Sequence, residues 1–208
     1  MLIKTLEVAG IGPAIHAMRN PMDSWSKSDT HKGHIGDKDK ALATGLIRAG
    51  TEHCKHLRMC IVWAEIWAPR YWWTEFDTYR AGVEKLSCST MHKITSRTLT
   101  PDDFEIDYFT DELAAQLNYC NALISSIQEL RHTDQKDQSR ALFRALVQAL
   151  PQSLIQRRTV MMSYQALRSI YHQREGHKLR EWEAFRAWCE SLPESWMITI
   201  DNDDKPII

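Results

Sequence analysis

Two short clusters bring metal-ligating atoms close together in sequence, His31-Lys32-Gly33-His34 and His53-Cys54-Lys55-His56. A structural zinc site needs four ligands in a tetrahedron, and neither cluster has a recognisable second half, so both read as surface or core histidines. The five cysteines, Cys54, Cys60, Cys88, Cys120 and Cys189, are odd in number and lack C-x-x-C spacing. That pattern argues against a disulfide framework and for a reducing compartment. No G-x-S-x-G elbow is present, and Cys88, between Ser87 and Ser89, carries no local sign of activation. G-x-G-x-x-G and G-x-x-x-x-G-K are also absent, which removes the glycine-built phosphate cradles. The remaining chemical signal is eight tryptophans, four of them at Trp63, Trp67, Trp72 and Trp73. A buried indole seeks a partner for its N–H, so this cluster reads as a packed wall first and a planar-ligand site second.

The elements that must position these residues follow from periodicity and punctuation. Leu2 to Val8 reads as a short strand, and the Ala-Gly-Ile-Gly-Pro that follows as a turn. Residues 20–37, rich in Asn, Pro, Asp and Ser, read as a flexible loop. Asp37 is placed to cap a helix to Arg48, with Gly50 beyond its end. The apolar run from Leu57 to Trp67 predicts a strand buried on two faces. Pro69 then opens a helix through Arg80, with Trp72, Glu75, Phe76 and Tyr79 on one stripe. Leu113, Leu117, Cys120, Ile124 and Ile127 recur at helical steps over 111–131 behind a Thr110 cap. Another helix spans 137–149 and stops at Leu150-Pro151; an extended stretch covers 158–162. Ser163 opens a helix to Arg174, Gly176 interrupts it, and a last helix packs Leu179, Trp182, Phe185 and Trp188. The sum is a helix-rich α+β fold with a small, mostly antiparallel sheet, expected as a single domain over 1–208.

The order of these elements carries more than any one of them. A helix leads into Gly50-Thr51-Glu52-His53-Cys54-Lys55-His56, a buried strand, Ala68-Pro69, an aromatic helix ending at Arg80, and a polar Leu-Ser-Cys-Ser segment. Later come Leu150-Pro151, an extended stretch, a helix after Ser163, then Arg174 and His177 before Glu181. This order resembles the flavin-dependent thymidylate synthases. In that family a Gly-His-x-x-x-x-x-His loop precedes the central strand, and the next helix ends in Arg-His-Arg before Ser-x-Asn-Glu-x-Ser-x-Arg-Tyr. Its closing segment runs Leu-Pro, strand, Asn-x-Arg-Ser-Leu helix, Arg-x-x-x-His-Ala-Gln-x-Glu. The resemblance covers residues 38–93 and 141–190. Its motif is altered here: Arg-His-Arg becomes Thr78-Tyr79-Arg80, the preceding Gln becomes Glu75, and the motif's second serine falls on Ser87. The closing Asn and Arg become Ser163 and Gln165.

The resemblance implies one-carbon transfer from methylenetetrahydrofolate to a pyrimidine deoxynucleotide such as dUMP, with FAD carrying hydride and NADPH as a possible reductant. It implies Arg174 and Ser87 as catalytic groups, and Arg80, Ser87 and Arg174 as substrate contacts. His56, Glu75, Tyr79, Arg80 and Ser163 fall at cofactor-contact positions, with no metal required. It also implies a homotetramer with active sites shared between subunits. Replacing two motif cations by Thr78 and Tyr79 lowers the positive potential that a dinucleotide pyrophosphate needs, so a non-catalytic nucleotide-binding, interaction or inhibitor module on the same fold is the alternative. A nucleic-acid binder using Arg157, Arg158, Lys178 and Arg180 is disfavoured, because 26 Lys and Arg against 27 Asp and Glu leave no net positive field. No window approaches the length of a membrane span, and the expected compartment is the cytoplasm.

Overall fold

The computed structural model describes residues 1–201. They form an α+β fold in which strands β1 (Leu2–Ala9), β2 (Ile61–Pro69), β3 (Val83–Ser87) and β4 (Ile155–Ser163) make an antiparallel sheet in the order β1-β2-β4-β3. The helices are α1 (Ile11–Ala17), α2 (Asp37–Arg48), α3 (Arg70–Phe76), α4 (Thr90–Lys93), α5 (Asp111–Leu130), α6 (Lys136–Ala149), α7 (Tyr164–Gln173), α8 (Arg180–Glu190) and α9 (Trp196–Thr199). The chain divides into two compact units, one of Met1, Trp67–Phe76 and Ser87–Arg158, the other of Leu2–Ile66, Asp77–Leu86 and the chain from Thr159 onward.

In the first unit α5 and α6 pack as a helical pair. Leu117, Cys120, Ile124 and Ile127 of α5 meet Leu146 of α6, with Leu99 and Phe104 closing the cluster. Thr110 caps α5, its hydroxyl accepting from the Leu113 N–H at 3.3 Å. The aromatic helix α3 buries Trp72, Trp73 and Phe76. Trp72 and Phe76 stack with centroids 4.9 Å apart, and the Trp73 indole N–H donates to the Gln156 carbonyl at 2.9 Å. These tryptophans are therefore wall.

In the second unit the core gathers Ile15, Ile47, Leu57, Ile66, Tyr164, Trp182 and Phe185, all at most 1% exposed. Segment 20–37 holds two 3-10 turns, Asn20–Met22 and Trp25–Lys27, and a tight turn joining His31 to His34. Asp39 anchors it: its buried carboxylate pairs with Arg19 at 2.6 Å and accepts from the hydroxyls of Ser28 at 2.6 Å and Thr30 at 2.7 Å. Asp29, not Asp37, supplies the α2 cap, accepting from the N–H groups of Lys38 and Asp39.

Several further expectations are corrected. The strand expected over Leu57–Trp67 begins at Ile61, because Lys55–Arg58 closes as a 3-10 turn. It buries one face: Val62, Ala64, Ile66 and Ala68 are fully buried, while Ile61, Trp63, Glu65 and Trp67 are half-buried. Helix α3 ends at Phe76 rather than Arg80. Asp77 and Thr78 are weak helix formers, and Gly82 turns the chain with φ +71°. The polar stretch after it is partly strand, since Val83–Ser87 is β3. The turn expected at 9–13 is only Gly10 (φ +87°), with α1 starting immediately after it. A Cβ at Gly10 would sit 2.2 Å from the Met59 carbonyl oxygen, so that approach requires glycine.

Candidate functional site

Within the second unit, the end of α2 with the loop after it and helix α7, one from each segment that carries the resemblance, line a cavity of about 510 Å³. Helix α7 supplies one wall. Its Leu167, Ile170 and Tyr171 are buried in the core, so Gln165, Arg168, Ser169, His172 and Gln173 fall together on another stripe, at three- and four-residue steps. The loop after α2 supplies the facing wall with Gly50, Thr51 and Cys54, and Arg48 closes it.

Each polar group is held for a reason. Arg168 is 5% exposed, and its guanidinium donates to the Ile198 carbonyl at 3.0 Å and to the Ile200 carbonyl. Burial pulls its pKa down, yet a guanidinium stays charged throughout the physiological range. Burial and neighbouring Arg168 both push the His172 imidazole toward its neutral form. The His172 Nε2 is buried without a hydrogen-bond partner, a cost that a ligand group can relieve. Cys54 donates from Sγ to Gln165 Oε1 at 3.0 Å. Burial raises its pKa, as it does those of Cys60, pushed up to about 12, Cys120 and Cys189. These four are protonated thiols at neutral pH, unsuited to attack. Among the described residues, no group of three or more His, Cys, Asp or Glu is placed to hold a metal ion.

A second cluster sits at the far end of α7. Arg174 is the residue that ends the helix, and its Nε donates to the Tyr79 hydroxyl at 2.7 Å. Its guanidinium carbon lies 4.3 Å from the Trp182 ring centroid and 5.3 Å from that of Tyr79, within cation–π range. The His177 ring meets Trp182 at 6.1 Å. At the opposite end, Ser163 caps α7 by accepting from the Ala166 N–H at 3.2 Å, and its own N–H donates to the Gly82 carbonyl at 2.9 Å.

The structure thus joins Arg174 to Tyr79 and ties Ser163 to the turn that carries Arg80. Arg80 is exposed. His56 lies buried in the 3-10 turn Lys55–Arg58 with neither ring nitrogen partnered, and burial lowers its pKa to about 4. It lines a separate cleft of about 800 Å³ with Arg19, Lys27, His53 and Met59. Glu75, half-buried on α3, and Ser87, exposed at the end of β3, belong to the first unit. The other cations near the altered motif have local duties: Lys85 pairs with Asp77 at 2.9 Å, and Arg157 and Arg158 cover Trp67 and Trp73. Sequence reasoning missed Arg48, Thr51, Arg168, Ser169 and His172. The available signal was the polar stripe opposite the apolar one on α7.

No family model matches the chain, and no curated protein resembles it in sequence. Solved structures share its fold. The chain superposes on the flavin-dependent thymidylate synthase ThyX from Helicobacter pylori complexed with FAD and dUMP, with a TM-score of 0.71 and 18% identity over 96% of this chain and 98% of that one. A second structure of that enzyme with FAD and dUMP gives 0.72 at 17% identity, with the same coverage. The fold is that of the flavin-dependent thymidylate synthases. The same fold appears in the UMP/dUMP methylase PolB from Streptomyces cacaoi bound with 5-Br dUMP, with a TM-score of 0.63 and 13% identity over 99% of this chain and 97% of that one. The thymidylate synthase fold thus spans nearly the whole chain, 96% of it in the first comparison, whereas the sequence resemblance left helix α5 uncovered. Among the described residues, no helix is long and apolar enough to cross a membrane.

Proposed function

We propose that the protein is a divergent dUMP methylase of the flavin-dependent thymidylate synthase type, transferring a one-carbon unit from methylenetetrahydrofolate to carbon 5 of a pyrimidine deoxynucleotide. The observation that carries this reading is the convergence of the Gly50 loop and α7 on one polar cavity, in a fold shared with proteins solved with FAD and dUMP. The residues present fit a flavin ring. Gln165, Ser169 and Gln173 offer donors and acceptors along one helix face, the buried His172 Nε2 lacks a partner, and Arg48 and Arg168 supply positive charge. When bound and reduced, FAD supplies hydride, with NADPH as the electron source.

The chain's own residues do the rest. Arg174 donates toward the uracil ring and meets negative charge as it develops on the ring carbonyl, an effect worth several kcal/mol when the donor is fixed beforehand. Arg80, exposed on its turn, serves the nucleotide phosphate as a guanidinium fork. Ser87 as a pyrimidine contact, with Glu75 and His56 toward the cofactor, and a homotetrameric assembly enter on the resemblance alone. No cysteine nucleophile is called for, in keeping with the four raised thiol pKa values.

Incubation with dUMP, methylenetetrahydrofolate, FAD and NADPH tests the reading by mass spectrometry. A product nucleotide heavier by the transferred one-carbon unit, lost in Arg174→Ala, is expected. Unchanged dUMP from a folded protein that takes up flavin would overturn it. A second reading, nucleotide binding or protein interaction without catalysis, is favoured by Thr78 and Tyr79 standing in place of two motif cations. It expects dUMP binding without flavin uptake.

A further inference from the structure

We propose that Tyr79 is a positioning residue for Arg174, fixing the plane in which its guanidinium donates. What that guanidinium then contacts rests on the function proposed above. Tyr79 stands where the resembled motif has histidine, so the arrangement belongs to this chain's own sequence.

Arginine keeps about 2 kcal/mol of rotamer entropy when unrestrained, and a donor that must meet developing charge works best if it does not reorganise. Here each degree of freedom is removed in turn. The backbone of Arg174 is fixed by its N–H donating to the Ile170 carbonyl at 3.0 Å. The side chain enters a corner formed by two rings whose centroids are 6.2 Å apart and whose planes are inclined by 75°. Trp182 is the rigid side of that corner, fully buried and packed edge-on against Phe185 at 5.7 Å. Tyr79 is the other side, and the hydrogen bond from Arg174 Nε to its hydroxyl sets the rotation of the planar fork. With Nε so engaged, the direction in which the two terminal nitrogens donate is determined.

Tyr79 is itself anchored. The chain turns back at Val83, whose N–H donates to the Arg80 carbonyl at 3.3 Å, and Gly82 accepts from Ser163 at the start of α7. Residues 79 to 82 therefore reach from the N-cap of α7 to its C-cap, and the arginine and its acceptor are held by the same helix. Tyr79→Phe removes the hydroxyl that accepts from Arg174 and keeps the ring that meets Trp182.

The test uses Tyr79→Phe in the full chain with two readouts. The first is the Arg174 Nε–H resonance in 15N NMR, assigned by its loss in Arg174→Lys. The wild type is expected to show a slowly exchanging Nε–H, and Tyr79→Phe to lose about tenfold in protection with little change in Tm. The second is calorimetric affinity for dUMP against deoxyribose 5-phosphate, which lacks the base. Tyr79→Phe is expected to weaken dUMP five- to tenfold, about 1 kcal/mol or slightly more, and to leave the base-free ligand unchanged. A rapidly exchanging Nε–H in the wild type overturns the proposal, and so does protection unaltered in Tyr79→Phe. Equal weakening of both ligands with a lowered Tm overturns it in favour of a merely structural tyrosine. If the wild type binds no dUMP, the function reading fails while the NMR comparison still decides whether Tyr79 positions the arginine.

Discussion

Gly82→Ala puts two independent costs on the turn that holds Tyr79 and Arg80. Gly82 has φ +71°, and a Cβ there would lie 2.5 Å from Ser163 Oγ and 3.4 Å from Ser163 Cβ. The left-handed backbone alone costs an alanine about 1–2 kcal/mol. Displacing the Ser163 hydroxyl also releases its cap on the Ala166 N–H, worth about 0.5–2 kcal/mol. Together these predict a loss of about 1.5–4 kcal/mol. At about 2–4 °C per kcal/mol for a chain of this size, that is a fall in Tm of roughly 3–16 °C. Gly33→Ala is the control: its φ is +84°, but nothing lies within 4 Å of the added Cβ, so it carries the backbone cost alone. Urea denaturation of both variants, alongside dUMP affinity, measures the difference. Gly82→Ala is expected to be the less stable by about 0.5–2 kcal/mol and to bind dUMP more weakly. Equal stabilities for the two variants would refute the idea that Gly82 is required by its approach to Ser163.

Three other perturbations separate parts of the account. Burial opposes ionisation of Asp39, but hydrogen bonds from Ser28, Thr30 and Arg19 outweigh it and hold the carboxyl below the usual range. Its contribution is therefore full above pH ~4 and lost as pH falls toward the folded-state value. Asp39→Asn should cost about 3–5 kcal/mol at neutral pH and flatten the acid limb of a stability-against-pH curve. His56 behaves in the opposite chemical sense, its folded pKa of about 4 lying below that of an ordinary histidine. The unfolded chain takes the proton first, so stability is full above pH ~6.5 and falls toward pH 4 by about 1.4 kcal/mol per unit. His56→Phe should abolish that part of the slope, and an unchanged slope would show that the imidazole is solvated in the native state. Among the five thiols only Cys88 is exposed, so titration with an aromatic disulfide should give one fast-reacting equivalent. Ser replacement of Cys88 should remove it.

How much of this was legible in the sequence depends on whether a single period ruled each segment. Helix α5 was readable because one apolar stripe runs its whole length behind a Thr cap. Helix α7 was readable because Ser163 announces its start and Arg174 its end. The start of β2 was not, because Leu57 is as buried as the strand's own Val62 and hydrophobicity cannot distinguish a core 3-10 turn from a strand. The end of α3 was also hidden: Tyr79 continues the helical stripe of Trp72 and Phe76, yet the turn at Gly82 and the anchor at Ser163 override it. Of the site, the motif order exposed Arg174 and Tyr79 separately, but only the three-dimensional arrangement shows one bonded to the other. Arg168 and His172 carry no signal of a buried role in the sequence, since nothing local indicates that the carbonyls of Ile198 and Ile200 reach the Arg168 guanidinium.

The most direct test of the central claim is the absorbance spectrum of the purified full chain titrated with FAD, followed by dUMP. A bound flavin in the α7 cavity shows a shifted, structured visible band that saturates with added cofactor and changes again when dUMP is added. Gln165→Leu with Ser169→Ala should weaken uptake about tenfold or more, since two hydrogen bonds are each worth about 1 kcal/mol. A folded, tetrameric or monomeric protein whose flavin spectrum stays that of the free cofactor at every concentration would contradict the account.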